Sequence, residues 1–454
     1  MEYRLTEGPI SRGLIRFSLP MILGNILQQL YNVADTLIVG RTVGPAALAA
    51  VGSAYALMVL LTSIIMGLCM GSGVVFAQLY GAKRTDQLKV SLVNALAFVL
   101  LVSAAINLLS ALCLDKFIRL LRIPPEAVDF TRTYLRIIFV GMTFVTIYNF
   151  FASALRSIGN TVAPLAFLAV SAGANIVLDL VLILVFHMGV AGAAWATGAA
   201  QGLSAVCITV YFFAAARGIC PRRQHLRWDR GLLRQIAANS LLTSVQQSVM
   251  NFGILLVQGL VNSFGFAASA AFAAVVKIDN FAYMPAQDFG NAFATFVAQN
   301  HGAGKPERIR RGTAAALGIS GAFCLISSAC VWLLARPLML LFVDGGEEEI
   351  LRIGVEYLHI VGAFYVGIGV LFLLYALFRG MGRAEVSILL TVISLGSRVA
   401  LAYSLSAIPA VGLRGIWWAV PIGWALADVT GLALWRRLGR RANACGAGKM
   451  EDRA

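Results

Sequence analysis

The chain has 454 residues, of which 59% are hydrophobic and only 13% are charged, and its mean hydropathy is +0.82. This composition excludes a soluble protein of two or three domains and indicates an integral membrane protein. The net charge of +15 is also typical of nucleic-acid-binding proteins, but here the lysines and arginines lie in the short connections between apolar runs, so membrane topology explains them and no nucleic-acid partner is expected.

The apolar runs are continuous and longer than the ~20 residues that cross a bilayer core of ~30 Å. Continuous runs predict helices, because the strands of a membrane barrel alternate between apolar and polar residues. Breaks at glycines, prolines and charge clusters divide the chain into twelve predicted helices. They cover residues 13–39, 48–77, 88–113, 127–155, 160–186, 190–216, 233–263, 267–298, 309–336, 348–379, 383–407 and 411–438.

Basic residues cluster after the predicted helices 2, 6, 8 and 12. Because cytoplasmic loops are enriched in lysine and arginine, these helix ends are expected in the cytoplasm, with both termini there and the protein in the inner membrane among its lipids. The loop after helix 3, with Lys116 and Arg119, goes against this rule, and the majority of the loops decides the orientation.

The first predicted helix contains SLPMILGN and LYNVADTLIVG, which place Pro20, Asn32 and Asp35 in an apolar run. A carboxylate at the bilayer centre costs at least ~2.5 to 3.5 kcal/mol on insertion scales, so Asp35 is a functional candidate. Pro20 removes one backbone hydrogen bond and predicts a kink or a hinge, and a kink that only serves packing is an equal alternative.

Helices 5 and 6 supply more polar groups. In ANIVLDLVLI, Asn175 and Asp179 are four residues apart and share one helix face, and WATG supplies Thr197 on the next helix. Together with Asp35 they offer two carboxylates, an amide and a hydroxyl, which suit Na⁺ or another small cation, or protons. For Asn175 and Thr197, structural hydrogen bonds between helices are the alternative.

The connection RGICPRRQHLRWDR begins at residue 217 and separates six helices from six. We therefore expect lobes at 1–216 and 233–441, a cytoplasmic linker at 217–232 and a disordered cytoplasmic tail at 442–454. The halves are repeats: FAQLYGAKRTDQLK in the first matches VAQNHGAGKPERIR in the second, and GVAGAAWA matches GLRGIWWA. An even number of helices per repeat predicts parallel repeats, with a transport site at their interface.

The second half has its own intramembrane charges, of which Lys277, Asp279 and Asp288 surround Pro285. Lys277 and Asp279 are two residues apart and cannot face each other, so structural ion pairs with other partners are the first expectation. The second expectation is that Asp279 and Asp288 face a substrate cavity. Methionine and aromatic side chains there suit flat organic cations. The candidate cavity residues are Asn32, Gln246, Met250, Asp279, Tyr283, Met284 and Asp288.

No catalytic constellation accompanies these groups. The four histidines stand apart, no GxSxG, HExxH or Walker loop occurs, and the seven scattered cysteines form no CxxC pair. We therefore expect a protein that is not an enzyme and has no cofactor, and whose pumping is driven by an ion gradient.

The segments SLPMILGN, LYNVADTLIVGR, AQLYGAK, AQNHGAG, LRSIGNT, NIVLDLVLI and GVAGAAWATG resemble the multidrug and toxic compound extrusion (MATE) family, over about residues 8–438. The resemblance implies an all-α, V-shaped pair of pseudo-symmetric six-helix bundles. It also implies a monomer that exports organic cations or drugs in exchange for protons or Na⁺.

In the DinF-like branch of that family, the coupling-ion site corresponds to Asp35, Asn175, Asp179 and Thr197, with Pro20 as the bending proline. The second half departs from the NorM-like branch. Gln246 and Gln247 occupy the place of a glutamate, and EYLHIVGAFYVGIGVLFLLYALF has no acid in its middle, which argues against a second ion site of that kind.

A lipid-linked precursor flippase of the same superfamily is the alternative function. A flippase needs a cavity rich in arginine and lysine for pyrophosphate, and Arg398 is its main support. The acidic groups of the first half argue against it.

Overall fold

The computed structural model describes the backbone of residues 4–43, 45–120 and 125–451. It describes their side chains except at 36, 37, 41, 45–50, 53, 56, 120, 125, 126 and 439–451. Over these residues the regular structure is helical and contains no strand. The α-helices are α1 (Ile10–Thr42), α2 (Pro45–Gly81), α3 (Thr85–Leu112), α4 (Leu114–Leu120), α5 (Pro125–Ser157), α6 (Val162–Leu180), α7 (Gly189–Ala215), α8 (Arg230–Asn262), α9 (Phe266–Gly302), α10 (Pro306–Leu333), α11 (Ala335–Leu340), α12 (Glu348–Gly362), α13 (Tyr365–Gly380), α14 (Ala384–Ser406) and α15 (Leu413–Glu451).

The twelve predicted segments are all helical in the structure. Nine single helices within the described residues are long and apolar enough to cross a membrane, and α12 with α13 forms one further, bent span. The two remaining predicted spans are α1 and α9, which have 33 and 37 residues. These two are long enough to cross a bilayer, and both carry charged residues that the sequence analysis singled out, Asp35 on α1 and Asp279 on α9.

The structure corrects the predicted elements at three places. The single helix predicted over 348–379 is two helices, α12 and α13, bent by 52° between Gly362 and Tyr365. The helix predicted over 160–186 ends in a π-helical segment, Val181–Val185. Two short helices, α4 and α11, lie in connections that were predicted as loops. The bend and the π-helical segment contain no proline that would indicate them, and α11 forms although it contains Pro337, so the apolar pattern did not predict these deviations.

The chain forms two compact units. Unit 1 comprises Met1–Ser248, Ala292–Gly312 and Arg379–Gly382, and unit 2 comprises Val249–Asn291, Thr313–Phe378 and Arg383–Ala454. Unit 1 therefore contains α1 to α7 together with the starts of α8 and α10 and the ends of α9 and α13. The lobe boundaries expected at 216 and 233 stay a prediction.

Unit 1 is built around closely packed helices with an aromatic core. Phe76 and Phe150 meet edge to face with ring centroids 5.8 Å apart, and Phe151 lies 4.9 Å from Phe212. On the other side of α2, α8 approaches so closely that a Cβ on Gly71 would lie 2.4 Å from the carbonyl oxygen of Asn239. Small residues allow such contacts between membrane helices.

The connection between residues 217 and 230 is fixed to α3 in unit 1. Asn94, which is fully buried, donates to the carbonyl oxygen of Arg227 and accepts from the backbone N–H of Asp229. The buried His225 ring lies 3.4 Å from the carboxylate of Asp86. These contacts hold the connection against the helix ends.

Unit 2 has a core of stacked aromatic rings. Phe272 stacks on Trp417 with centroids 5.7 Å apart, and Tyr357 meets Trp417 edge to face at 4.8 Å. Where α9 passes α13, Gly290 leaves only 3.2 Å between a hypothetical Cβ and the carbonyl oxygen of Phe372. The packing brings α9, α12, α13 and α15 together around Asp279.

Candidate functional site

The four predicted coupling residues come together in unit 1. Asp35 lies on α1, Asn175 and Asp179 lie one turn apart on α6, and Thr197 lies on α7. Asp179 is fully buried and Asn175 is 2% exposed, while Asp35 and Thr197 are half-buried. The i, i+4 spacing on α6 therefore places an amide and a carboxyl group on one inward face, as the sequence indicated.

The carboxyl groups of Asp35 and Asp179 lie close enough to interact electrostatically. Two ionised carboxylates at short range repel each other, so a proton or a cation between them would stabilise the arrangement. One oxygen of each residue, Oδ1, is buried and has no hydrogen-bond partner among the described residues. Two buried acceptor oxygens without donors are the arrangement that a proton or a small cation stabilises.

Asn175 connects this carboxyl pair to α7. In the amide orientation that satisfies both of its ends, Nδ2 donates to Asp179 Oδ2 at 3.1 Å and Oδ1 accepts from the backbone N–H of Thr197 at 3.3 Å. In the opposite orientation Nδ2 lies 3.4 Å from Thr197 Oγ1. One side chain thus holds Asp179 in place and joins two helices.

The backbone of α6 changes its winding directly after Asp179. From Val181 the hydrogen bonds follow the π-helical pattern, and the N–H of Phe186 donates to the carbonyl oxygen of Val181 at 3.1 Å. Single π-helical turns are frequent at functional sites because the extra residue rotates the side chains on either side of it. The apolar sequence VLILV gives no sign of this turn.

Two tyrosines and a glutamine surround the carboxyl pair and were not predicted. Tyr31 lies one turn before Asp35 on α1 and lines the same cavity as Gln201 on α7. Tyr134, on α5, is 3% exposed and lies within electrostatic range of both carboxyl groups. The i, i+4 spacing of Tyr31 and Asp35 was the available signal.

A small cavity opens beside these groups. Its volume of about 10 Å³ is roughly the space that one water or one small ion needs. Polar groups from α1, α6 and α7 line it together with small and apolar side chains. The lining residues are Tyr31, Leu168, Ser171, Ala172, Asn175, Thr197, Ala200 and Gln201.

Three other predicted residues of unit 1, two on α1 and one on α8, lie outside the carboxyl pair. The helix continues through Pro20 without a break from Ile10 to Thr42, so the hinge stays a prediction. The amide of Asn32 donates to Gln29 Oε1 at 3.3 Å. Gln246, on the part of α8 that belongs to unit 1, is 1% exposed, and its Oε1 has no partner among the described residues.

In unit 2, Asp279 is 4% exposed and accepts two hydrogen bonds, from the hydroxyl of Tyr357 at 2.6 Å and from the hydroxyl of Tyr365 at 2.5 Å. Among the described residues no lysine or arginine nitrogen lies within 4 Å of it. Asp279 therefore lacks the close ion pair that was its first expectation, and tyrosine hydroxyls satisfy its carboxylate instead. The ammonium of Lys277 instead lies 5.7 Å from the ring centroid of Phe342.

The remaining cavity candidates all belong to unit 2. Tyr283 packs against Tyr365 and Phe372 with ring centroids 6.0 and 6.2 Å apart. Asp288 is 7% exposed, and Met250 and Met284 are half-buried. Their part in substrate binding stays a prediction.

The described part of the chain has no cluster of side chains that could hold a transition metal. No group of three or more histidine, cysteine, aspartate and glutamate side chains converges among the described residues. The cluster around Asp35 offers carboxyl, amide and hydroxyl oxygens, which fit a proton or Na⁺ as a transported ion.

Comparisons with known proteins agree with this geometry. The sequence profile of the MatE family matches residues 20–181 and again residues 241–404, as expected for two repeats. The chain is 30% identical over 398 residues to the probable multidrug resistance protein YpnP of Bacillus subtilis, covering 86% of this chain and 87% of that protein. It is 25% identical to the FAD transporter of Shewanella oneidensis, covering 93% of each chain.

Solved structures of MATE transporters share the fold. A MOP superfamily transporter from Pyrococcus furiosus aligns with a TM-score of 0.90 and 25% identity, over 97% of this chain and 98% of that one. This similarity confirms the predicted all-helical fold with twelve membrane helices in two six-helix bundles. Together with the apolar helices, it makes this chain a multi-pass membrane protein.

Proposed function

Because the chain belongs to the MatE family of membrane transporters, we propose that it exports organic cations or drugs from the cytoplasm in exchange for protons or Na⁺. The observation that carries this proposal is the pair formed by Asp35 and Asp179. The pair brings together carboxyl groups from two helices, and one buried oxygen of each has no donor among the described residues. Exporters among the relatives, such as the probable multidrug resistance protein YpnP, support the substrate class.

The exchange follows from the charge of the pair. A proton or Na⁺ that enters from outside neutralises charge between α1 and α6, and so favours the arrangement in which these helices lie close together. When the ion leaves, repulsion between the carboxylates favours their separation. Pro20 lies about four turns before Asp35 on α1, and its missing backbone hydrogen bond makes it the position at which we propose that the helix bends during exchange.

The same proposal includes the orientation of the chain in the membrane, its branch of the MATE family and its oligomeric state. The basic clusters after α2, after α7, after α9 and at the end of α15 support a cytoplasmic position for those ends and for both termini. The cluster of Asp35, Asn175, Asp179 and Thr197 supports a position nearer the DinF-like branch. The protein acts as a monomer in the inner membrane, and without a resident cofactor.

One observation favours a second candidate, the transport of an anionic group. Arg398 on α14 has a buried Nε without a hydrogen-bond partner among the described residues. Both oxygens of its acidic neighbour Asp279 are already occupied by tyrosine hydroxyls. A guanidinium with an unused N–H donor can bind a phosphate or a carboxylate, and the FAD transporter of Shewanella oneidensis shows that relatives include a carrier named for such a compound. A lipid-linked precursor flippase would use the same group.

The test is uphill transport in proteoliposomes. A fluorescent organic cation is offered against its own gradient, driven first by an imposed pH gradient and then by an imposed Na⁺ gradient. We expect transport on one of the two gradients, and we expect Asp35→Asn and Asp179→Asn to abolish it. The control is Asp344→Asn, which changes the same functional group at an exposed position. Unchanged transport in both site variants would contradict the coupling role. Transport of a lipid-linked or dinucleotide anion alone would favour the second candidate.

A further inference from the structure

The C-terminal ends of α2 and α9 meet at two glycines of unit 1. A Cβ on Gly81 would lie 1.9 Å from the carbonyl oxygen of Gln299, and a Cβ on Gly302 would lie 1.9 Å from the carbonyl oxygen of Gln78. Neither distance leaves room for a methyl group. The two backbones are therefore in direct contact, and only glycine permits the contact at both positions.

The two glutamines at this contact each cap a helix from the other repeat. Gln78 Nε2 donates to the carbonyl oxygen of Gly380 at 3.0 Å, at the end of α13. Gln299 Nε2 donates to the carbonyl oxygen of Ser157 at 2.7 Å, at the end of α5. The last carbonyl groups of a helix have no partner within the helix, so each glutamine satisfies one of them.

The arrangement is reciprocal because both partners come from equivalent positions of the repeats. Gln299 and Gly302 each follow their counterparts by 221 residues, and Gly380 follows Ser157 by 223. All of these residues belong to unit 1, which includes the ends of α9 and α13. A single motif, duplicated with the repeat, thus ties each repeat to the other at one end of the unit.

We propose that Gln78, Gly81, Gln299 and Gly302 form a latch that closes the cytoplasmic end of the transport path and opens once in each cycle. This inference rests on the proposed function and orientation. The basic residues that follow the latch, Lys83 after α2 and Lys305 after α9, place it on the cytoplasmic side.

The chemistry of the latch suits a contact that breaks repeatedly. Its side chains are neutral amides and its acceptors are backbone carbonyl groups, so opening leaves no buried charge behind. Glycine at the crossing adds no side chain that would have to interdigitate again on closing. A transporter with alternating access needs such a reversible closure on each side of its site.

The experiment measures access to Ser157, which is 2% exposed beneath Gln299. Ser157→Cys leaves the carbonyl acceptor of the latch intact. Inside-out membrane vesicles are treated with a membrane-impermeant maleimide, and labelling at position 157 is followed by peptide mass spectrometry. We expect slow labelling with the latch intact and roughly 10-fold faster labelling when Gln78→Ala and Gln299→Ala are added, since the loss of two hydrogen bonds shifts the equilibrium by about this factor.

The control replaces two exposed glutamines, Gln87→Ala with Gln224→Ala, and must leave the rate unchanged. Cys69, which is 1% exposed in the core of unit 1, reports unfolding, because it stays unlabelled in a folded variant. If the glutamine variant unfolds, Gly81→Ala provides a second test. Its matched control is Gly318→Ala on α10, where a Cβ meets nothing within 4 Å.

Equal labelling rates with and without the glutamines, or a Gly81→Ala variant as protected as Gly318→Ala, would overturn the latch. Labelling at position 157 needs no substrate and no gradient. The latch can therefore fail while export is confirmed, and export can fail while the latch is confirmed.

Discussion

At the scale of single residues, the site depends on the position of one amide. Asn175 donates to Asp179 and accepts from the backbone of Thr197, so it fixes the direction in which the free oxygen of Asp179 points. In the proposed exchange, the carboxyl pair supplies the charge that attracts an ion, and the amide sets the geometry with which the ion is bound. Variants of the carboxyl pair and variants of Asn175 can therefore test the two roles separately.

Replacing Asn175 with alanine removes a hydrogen bond to a carboxylate and frees the Thr197 N–H. We expect the affinity for the coupling ion to fall roughly 10-fold, corresponding to about 1.4 kcal/mol, while the fold is retained. The measurement is the concentration of Na⁺ or protons that gives half-maximal transport.

The matched control is Ser171→Ala on the same helix. Its hydroxyl donates to the carbonyl oxygen of Ala200 at 2.8 Å and so joins the same two helices without touching a carboxylate. If both variants lower ion affinity equally, Asn175 acts only through helix packing.

Asp279 depends on its two tyrosine hydroxyls. Removing one of them with Tyr365→Phe leaves a buried carboxylate oxygen without a donor. We expect the free energy of unfolding to fall by about 1–3 kcal/mol, measured as a lower thermal midpoint in detergent. Tyr403→Phe, at a position that is 50% exposed, should change little. Rescue of Tyr365→Phe by Asp279→Asn would confirm that the cost lies in the unpaired charge, and a stable single variant would contradict it.

At the scale of elements, the segment before α1 is bound to the junction between α9 and α10. The carbonyl oxygen of Leu5 accepts from Asn300 at 3.2 Å, that of Thr6 from Lys305 at 3.0 Å, and that of Glu7 from Arg308 at 2.8 Å. Leu5 itself is 2% exposed. The helix that carries Pro20 and Asp35 therefore starts from a fixed point, so that bending at the proline moves its far end.

Arg308→Ala removes the donor that contacts both Leu5 and Glu7. We expect amide hydrogen exchange in residues 4–9 to become at least about 5-fold faster, because about 1 kcal/mol of local stability is lost. Arg310→Ala is the control, since that exposed guanidinium pairs only with Glu307 on its own helix. An unchanged exchange rate in Arg308→Ala would contradict a role for Arg308 and would leave the packing of Leu5 and the bonds from Asn300 and Lys305 to hold the segment.

The elements also show how far the sequence predicts this structure. Apolar length and charge clusters were sufficient to locate every membrane helix, because lipid requires each span to satisfy its own backbone. They could not predict the bend between Gly362 and Tyr365 or the π-helical turn after Asp179. Both depend on contacts between helices, such as the bond from Tyr365 to Asp279, that no local pattern encodes.

The same limit applies to the site. Asp35, Asn175, Asp179 and Thr197 were predicted from the cost of polar groups in lipid and from helical spacing, and the structure brings them together. Tyr31, Tyr134 and Gln201 were missed because tyrosine and glutamine are common in membrane helices and carry no comparable penalty. The tyrosine pair around Asp279 was missed because Tyr357 and Tyr365 lie on two helices that were predicted as one.

At the scale of the whole molecule, coupled exchange requires that the substrate and the coupling ion influence each other's binding. An organic cation that favours the ion-free arrangement must lower the protein's affinity for protons or Na⁺. By linkage, the bound ion lowers the protein's affinity for the organic cation by the same factor. Such reciprocity can be measured without a membrane and without knowledge of orientation.

The decisive measurement is therefore the release of the coupling ion from purified protein when an organic cation is added. Protons are followed with a dye in weakly buffered solution and Na⁺ with a radioactive tracer. We expect the unmodified chain and Asp344→Asn to release one of the two ions. We expect no release from Asp35→Asn or Asp179→Asn. Release from both site variants at the level of the unmodified chain would contradict the central claim, that the Asp35 and Asp179 pair holds the ion that drives export.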